Sequence, residues 1–262
     1  MLHNRKAEEG LHMIRKHSLM VFFIVFLTGC AGSENESETI YVAAASDLYH
    51  ALTDIGDAFT EETGIIVEFT YGSTGLLTQQ IQEGAPFDLF AAAHESYIDQ
   101  LIEGNAVFED SKAYYGIGRI AAVSSGGQEI VMDKDYLLSD EVKLITIANP
   151  EHAPYGKAAK ETLESWGIWD DIQPKLVFGE NIRQSYQYVE SGNADAGIIA
   201  LALMNETNLH FDLIEEHTHE TILQALGIPV QTEKRELSEQ FADFILSRTG
   251  QDILIEYGFD LP

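Results

Sequence analysis

Four short stretches place hydroxyls and glycines where a hydrogen-bonding shell for a small anion could form: "AAASD" (43–47), "YGSTG" (71–75), "APYGK" (153–157) and "GENIR" (179–183). Each follows an apolar run and precedes a segment of helical periodicity, so each reads as a strand-to-helix junction. The first turn of a helix leaves backbone N–H groups unpaired and carries the positive end of the helix dipole, which favours anions without any lysine or arginine. Ser46, Ser73 and Thr74 add hydroxyl donors. One such junction alone is an ordinary N-cap, and its glycine an ordinary turn residue. The set, in chain order, is what points to a site.

The elements that must position these junctions follow from periodicity. A strand is expected at 39–46, then a helix at 47–64 with Leu48, Ala51, Leu52, Ile55, Ala58 and Phe59 on one face and Gly64 as its stop. Strand 65–72, helix 73–84, strand 87–93 and helix 94–105 continue the alternation. After a looser stretch around "YYGIGRIAAVSSGG" it restarts with strand 143–150, helix 155–167, strand 174–180, helix 181–193 and strand 194–203. Residues 238–258 read as one or two helices. Strands alternating with helices predict βαβ units, mostly parallel sheets and two α/β lobes, and in such sheets ligands bind outside the carboxyl ends of the strands.

Composition narrows the function. The chain has 262 residues, 45% of them hydrophobic, enough for a substantial core. Its 43 acidic against 15 basic residues exclude a general nucleic-acid surface, which needs lysine and arginine in excess. The resulting charge repels a small anion at long range, but salt screens that field, and close dipoles and hydrogen bonds outweigh it. Arg15 and Lys16 precede an apolar run at 19–29 that is too short to span a bilayer, so residues 1–29 read as a secretory signal. The only cysteine, Cys30, lies in "LTGCAGS", which resembles a bacterial lipobox. That resemblance implies cleavage before Cys30, lipidation of its sulfur and attachment to a membrane. The plainer alternative, a signal anchor with an incidental cysteine, fits the length and flanks poorly. Residues 30–38 are small and acidic and read as a flexible tether. With no second cysteine there is no disulfide framework.

The segments "AAASDL", "YGSTGLLTQQIQEGAPFDLFAAA", "ANPEHAPYGKAAKETL", "ENIRQSYQYVESGNADAGIIAL" and a terminal "YGF" are similar to the periplasmic molybdate-binding protein family, the capture components of molybdate ABC importers. The likeness runs from Ile40 to Pro262. It implies a type II periplasmic-binding-protein fold, with 39–120 plus 228–262 as the first lobe and 121–227 as the second. The hinge crossings would fall near 117–124 and 222–230. It further implies molybdate or tungstate as the transported ligand, no cofactor, no cation site and no enzymatic activity. The protein would be a monomer, exported and held at the outer face of the cytoplasmic membrane or in a periplasm, with an ABC permease as its partner. Carried over position by position, the anion contacts fall on Ser46, on the hydroxyls of Ser73 and Thr74, and on the backbone N–H groups of Tyr155 and Ile182. Ala200 stands where some relatives carry a tyrosine contact, so that phenol is absent. A site made only of donors rejects protonated oxyanions, whose O–H would face another donor.

Other residues carry weaker expectations. Asp47 reads as an N-cap, Asp88 as a backbone-fixing carboxylate, and Arg183 as the partner of an acidic neighbour. Trp166 and Trp169 read as packing residues. His210, His217 and His219 lack a metal-site signature and read as surface histidines. No Ser-His-Asp order, paired-carboxylate motif, Walker loop or dinucleotide fingerprint is present. Two rival readings stay open: a binding protein for another tetrahedral oxyanion such as sulfate or phosphate, and an enzyme on the same fold.

Overall fold

The strand expected at 39–46 forms β1 (Thr39–Ala45), followed by one 3-10 turn at Ser46–Leu48 and then α1 (Tyr49–Thr63) in a computed structural model that describes residues 38–126, 132–205 and 207–262. The expected signal segment 1–29, the lipidated Cys30 and the tether up to residue 37 lie outside the described residues. α1 buries Ala51, Leu52, Ile55 and Phe59, and ends at Gly64, whose φ of 76° lets its N–H reach the carbonyl of Thr60. β2 (Ile66–Gly72), α2 (Thr74–Gln82), β3 (Leu89–Ala92) and α3 (Glu95–Glu103) follow as expected.

The looser stretch resolves into two strands, β4 (Ala113–Gly118) and β5 (Ile120–Ser124), with only Arg119 between them. Beyond a short helix α4 (Lys134–Leu138) come β6 (Ile145–Ala148), α5 (Pro154–Ser165), α6 (Trp169–Ile172), β7 (Leu176–Gly179), α7 (Ile182–Glu190) and β8 (Ala196–Ala200). β9 (His210–Leu213), β10 (Ile222–Gly227), α8 (Arg235–Leu246) and α9 (Arg248–Glu256) complete the chain.

These strands make two five-stranded sheets, ordered β2-β1-β3-β10-β4 and β7-β6-β8-β5-β9. Each sheet is the centre of one lobe, giving the two-lobe α/β fold. β1 pairs in parallel with β2 and β3, and β6 with β7 and β8, as βαβ connections dictate. The strands adjoining the crossings run the other way: β10 is antiparallel to β3 and β4, and β5 to β8 and β9. The sheets are therefore mixed, with the parallel part confined to the βαβ units. Central strands buried on both faces need continuous apolar runs, which "VAAA" in β1 and "LFAA" in β3 supply.

The chain first passes between lobes at Arg119, inside the expected 117–124 window. The second passage comes earlier than expected. Residues 222–227, assigned from sequence to the second lobe, form β10 in the first sheet, so the crossing runs through 214–221. Arg119 ties the two crossings together through Glu216 at 2.8 Å, and reaches Asp260 at 3.0 Å. After β10 the chain stays with the first lobe, where Phe241 and Phe244 of α8 pack on Phe59 of α1, ring centroids 5.0 and 5.4 Å away. Among the described residues no helix is long and apolar enough to cross a membrane.

Candidate functional site

The four junctions converge. Ser46, Ser73, Thr74, Tyr155 and Ile182 line one cavity together with Ala45, Asp47, Gly72, Ala93, Ala153 and Pro154. All five expected contact residues are at most 3% exposed. The first lobe supplies the end of β1 and the start of α2, and the second supplies the starts of α5 and α7. The enclosed space is small, about 10 Å³ for the centre of a water-sized sphere. A larger cavity of about 210 Å³ lies alongside, lined by His94, Lys157, Glu161 and Glu220 among others. Its lysine is already held by Glu220 at 2.5 Å and Glu161 at 3.6 Å, so it offers no free positive charge.

The hydrogen bonds show which donors remain. In the first turn of α7, the N–H of Arg183 reaches Ser46 Oγ at 3.4 Å, that of Gln184 reaches Asn181 Oδ1 at 3.0 Å, and that of Ser185 reaches the Asn181 carbonyl at 3.2 Å. Ile182, the first residue of that helix, is left facing the cavity with no intrahelical acceptor. In α5, Pro154 has no N–H and Lys157 donates to the Ala153 carbonyl, which leaves Tyr155 as a donor at the second position. Thr74 Oγ1 accepts from the N–H of Ala93 at 3.2 Å, and Ser46 Oγ accepts from Arg183. With acceptor roles met by the protein, both hydroxyls keep their protons to give. Ser73 differs. Its Oγ lies 2.7 Å from the His152 carbonyl and 2.8 Å from His152 Nδ1, so its hydroxyl here serves a contact between the lobes. The N–H of Gly75 reinforces that contact, meeting the same carbonyl at 2.9 Å.

Asp47 departs from the expected N-cap. The residue capping position before α1 is Leu48, with no side-chain cap, because the 3-10 turn at 46–48 directs the Asp47 carboxyl inward. It is 1% exposed. Gln224 of β10 gives one amide proton to Asp47 Oδ2 and another to the Tyr155 hydroxyl, each at 2.8 Å, and Tyr115 of β4 donates to Gln224 Oε1 at 2.7 Å. Asp47 Oδ1 is buried with no partner. Burial pushes this carboxyl up to about 6, against the lowering effect of the Gln224 amide, the Tyr155 hydroxyl and the backbone N–H groups of Asp47 and Leu48, and burial also holds the Tyr115 and Tyr155 phenols well above their ordinary range. The Tyr155 hydroxyl is thus committed beneath the cavity, consistent with the backbone, not the phenol, being its donor. Sequence reasoning missed this network: nothing local marks Gln224 or Tyr115.

Arg183 also departs from expectation. Its guanidinium lies 3.3 Å over the Tyr49 ring, joining α7 of one lobe to α1 of the other by a cation–π contact instead of an acidic pair. Asp88 accepts from the N–H of Tyr41 at 2.9 Å and from the Thr232 hydroxyl at 2.6 Å, which holds backbone away from the cavity. Trp166 and Trp169 pack at the edge of the core, and Ala200 ends β8 fully buried. His217 pairs with Glu215, His219 Nδ1 lies against the Glu220 carbonyl, and His210 sits in β9. Among the described residues no group of three or more histidine, cysteine or acidic side chains is arranged to hold a metal ion.

Comparison with known proteins places this geometry. A protein of Bacillus subtilis named as an ABC transporter substrate-binding lipoprotein is 29% identical over 259 residues, covering 94% of this chain and 99% of that one. The molybdate-binding protein of Rhodobacter capsulatus is 28% identical over 221 residues, 84% of this chain and 87% of its own. The solved structure of the Azotobacter vinelandii periplasmic molybdate-binding protein superposes with a TM-score of 0.81 at 26% identity, over 85% of this chain and 99% of that one. These relatives are transport components and not enzymes. The model of the bacterial extracellular solute-binding proteins matches residues 40–260, nearly the whole described chain, and the protein belongs to that family.

Proposed function

We propose that this protein captures a tetrahedral dianion, molybdate or tungstate, between its two lobes and presents it to the permease of an ABC importer. The observation that carries the reading is the convergence of spare donors on one enclosed cavity: the hydroxyls of Ser46 and Thr74 and the N–H groups of Tyr155 and Ile182, with no cationic side chain among its lining residues. The relatives named as molybdate-binding support the choice of ligand. Export, a lipid anchor at Cys30 and a monomeric state belong to the same proposal.

Capture proceeds by closure about the two crossings. The cavity has room for about one water, so a four-oxygen anion is held with the lobes drawn slightly apart. Ser73 is then free to turn from His152 and give its proton to the anion as well. Each charge-assisted hydrogen bond contributes roughly 1.5–3 kcal/mol. Half a dozen of them, less the cost of dehydrating the dianion and ordering the lobes, are compatible with dissociation constants in the nanomolar range, about −12 kcal/mol. The formal net charge of −28 sets only a screened, long-range opposition.

Calorimetric titration with molybdate, tungstate, sulfate and phosphate tests this. Tight one-to-one binding of the first two is expected, with weak or no binding of the others. Tight sulfate binding, or none of molybdate, would overturn the reading. The Ser46→Ala, Thr74→Ala double variant is expected to bind molybdate well over tenfold more weakly, through loss of two charge-assisted donors. It should also lose about 1–3 kcal/mol of stability, because the buried N–H of Ala93 loses its acceptor. Unchanged affinity would remove both hydroxyls from the site.

A further inference from the structure

The lining of the cavity contains one acceptor that a donor-only shell does not explain. Asp47 is buried beside Ser46, and its Oδ1 meets no hydrogen-bond partner. We propose that Asp47 couples capture of the anion to a proton: it takes up one proton as the dianion is enclosed, and that proton keeps the cavity a shell of donors. The inference rests on the oxyanion reading of the cavity given above.

The groups that face Asp47 leave it no other neutraliser. β10 brings the Gln224 amide, which bonds Oδ2. α5 brings the Tyr155 phenol, which together with the backbone N–H groups of Asp47 and Leu48 favours the ionised carboxylate, and β4 brings the Tyr115 phenol; burial keeps both phenols neutral and outweighs these donors at Asp47. α7 brings Arg183, whose backbone N–H goes to Ser46 and whose guanidinium is spent on the Tyr49 ring. The turn at Leu201–Leu203 brings only apolar side chains. Among the described residues no lysine, arginine or histidine side chain bonds to this carboxylate. A fixed negative charge beside an enclosed dianion is repelled in a medium that screens poorly. A proton drawn from solvent onto Oδ1 removes that charge and converts the unpartnered acceptor into an O–H donor. Burial already favours the neutral acid, pushing it up to about 6, and the anion acts in the same direction.

The consequence is a pH-dependent capture. Above about pH 6 the free protein holds Asp47 ionised, so a fully deprotonated dianion is enclosed only together with a proton drawn from solvent, and its binding weakens as pH rises.

Titrations of the full-length protein with molybdate, in two buffers of different ionisation enthalpy at about pH 7.5, read the proton directly. Close to one proton taken up per anion is expected, with affinity weakening about tenfold per pH unit as pH rises above about 6. The near-isosteric Asp47→Asn variant is expected to show no uptake and the same affinity at about pH 6.5 and about pH 8.5. Molybdate binding with no proton uptake and no pH dependence in the unaltered protein would overturn the inference and leave the oxyanion reading standing. Absence of molybdate binding would overturn both. The proton count needs no variant, so misfolding of Asp47→Asn leaves the inference open to refutation.

Discussion

Replacing Gly75 by valine is expected to weaken molybdate binding by about a hundredfold while each lobe stays folded. Gly75 lies in the first turn of α2, where the two lobes meet. Its N–H donates to the His152 carbonyl at 2.9 Å, and a Cβ built on it falls 2.7 Å from that oxygen and 2.9 Å from the His152 Cβ. The obstruction is backbone of the opposite lobe, which cannot rotate out of the way. Even with the lobes drawn slightly apart for the anion, the Cγ atoms of valine reach further than Cβ. Separation by such a wedge costs about 2–3 kcal/mol in the enclosed state and nothing in the open one. The loss therefore appears in binding, chiefly as faster release, and hardly in the unfolding midpoint. Molybdate titration together with denaturant unfolding reads both quantities. A valine variant with undiminished affinity would show that the anion is held without the lobes meeting at His152.

The second large effect is expected at Gly156. A Cβ there would overlap the carbonyl oxygen of Ala148 and lie 2.7 Å from its carbon, because the start of α5 rests directly on the end of β6. Alanine must push the helix start outwards, costing about 3 kcal/mol of stability. The displacement carries with it the Tyr155 N–H and the Tyr155 hydroxyl that accepts from Gln224 at 2.8 Å. Gly156→Ala is expected to unfold at lower urea and to bind molybdate only with a dissociation constant of about micromolar, on the order of a thousandfold loss. Unlike the valine at Gly75, it damages one lobe's half of the site, not the approach of two intact halves. Normal affinity in this variant would take the α5 start out of the anion shell.

What the sequence disclosed and what it concealed divide along a physical line. The four junctions were legible because each is local: an apolar strand, a small or hydroxyl residue, then helical periodicity. The same locality gave α1 its stop at Gly64. Asp47 shows where locality fails. A carboxylate before a helix reads as a cap, but a single 3-10 turn rotates it into the space between lobes, to meet an amide 177 positions later. Gln224 itself carried no signal, since it lies in a short apolar run whose pairing with β3 and β4 depends on strands far away in the chain. β4 lies in the stretch that reads as looser, where glycines at 116 and 118 interrupt the apolar run. In the fold Gly118 is required, because a Cβ there would collide with the Tyr155 hydroxyl and the Gln224 amide. The acidic neighbours of Arg183 in sequence suggest an ion pair, whereas the ring its guanidinium covers belongs to the other lobe.

Diffraction from crystals grown with molybdate, recorded at the molybdenum absorption edge, tests the central claim most directly, because the anomalous signal marks the anion alone. The expected result is one peak in the cavity between Ser46, Thr74, Tyr155 and Ile182, with its oxygens within hydrogen-bond reach of those two hydroxyls and two backbone N–H groups. A peak only in the neighbouring cavity lined by His94 and Lys157, or no peak between the lobes, would contradict it.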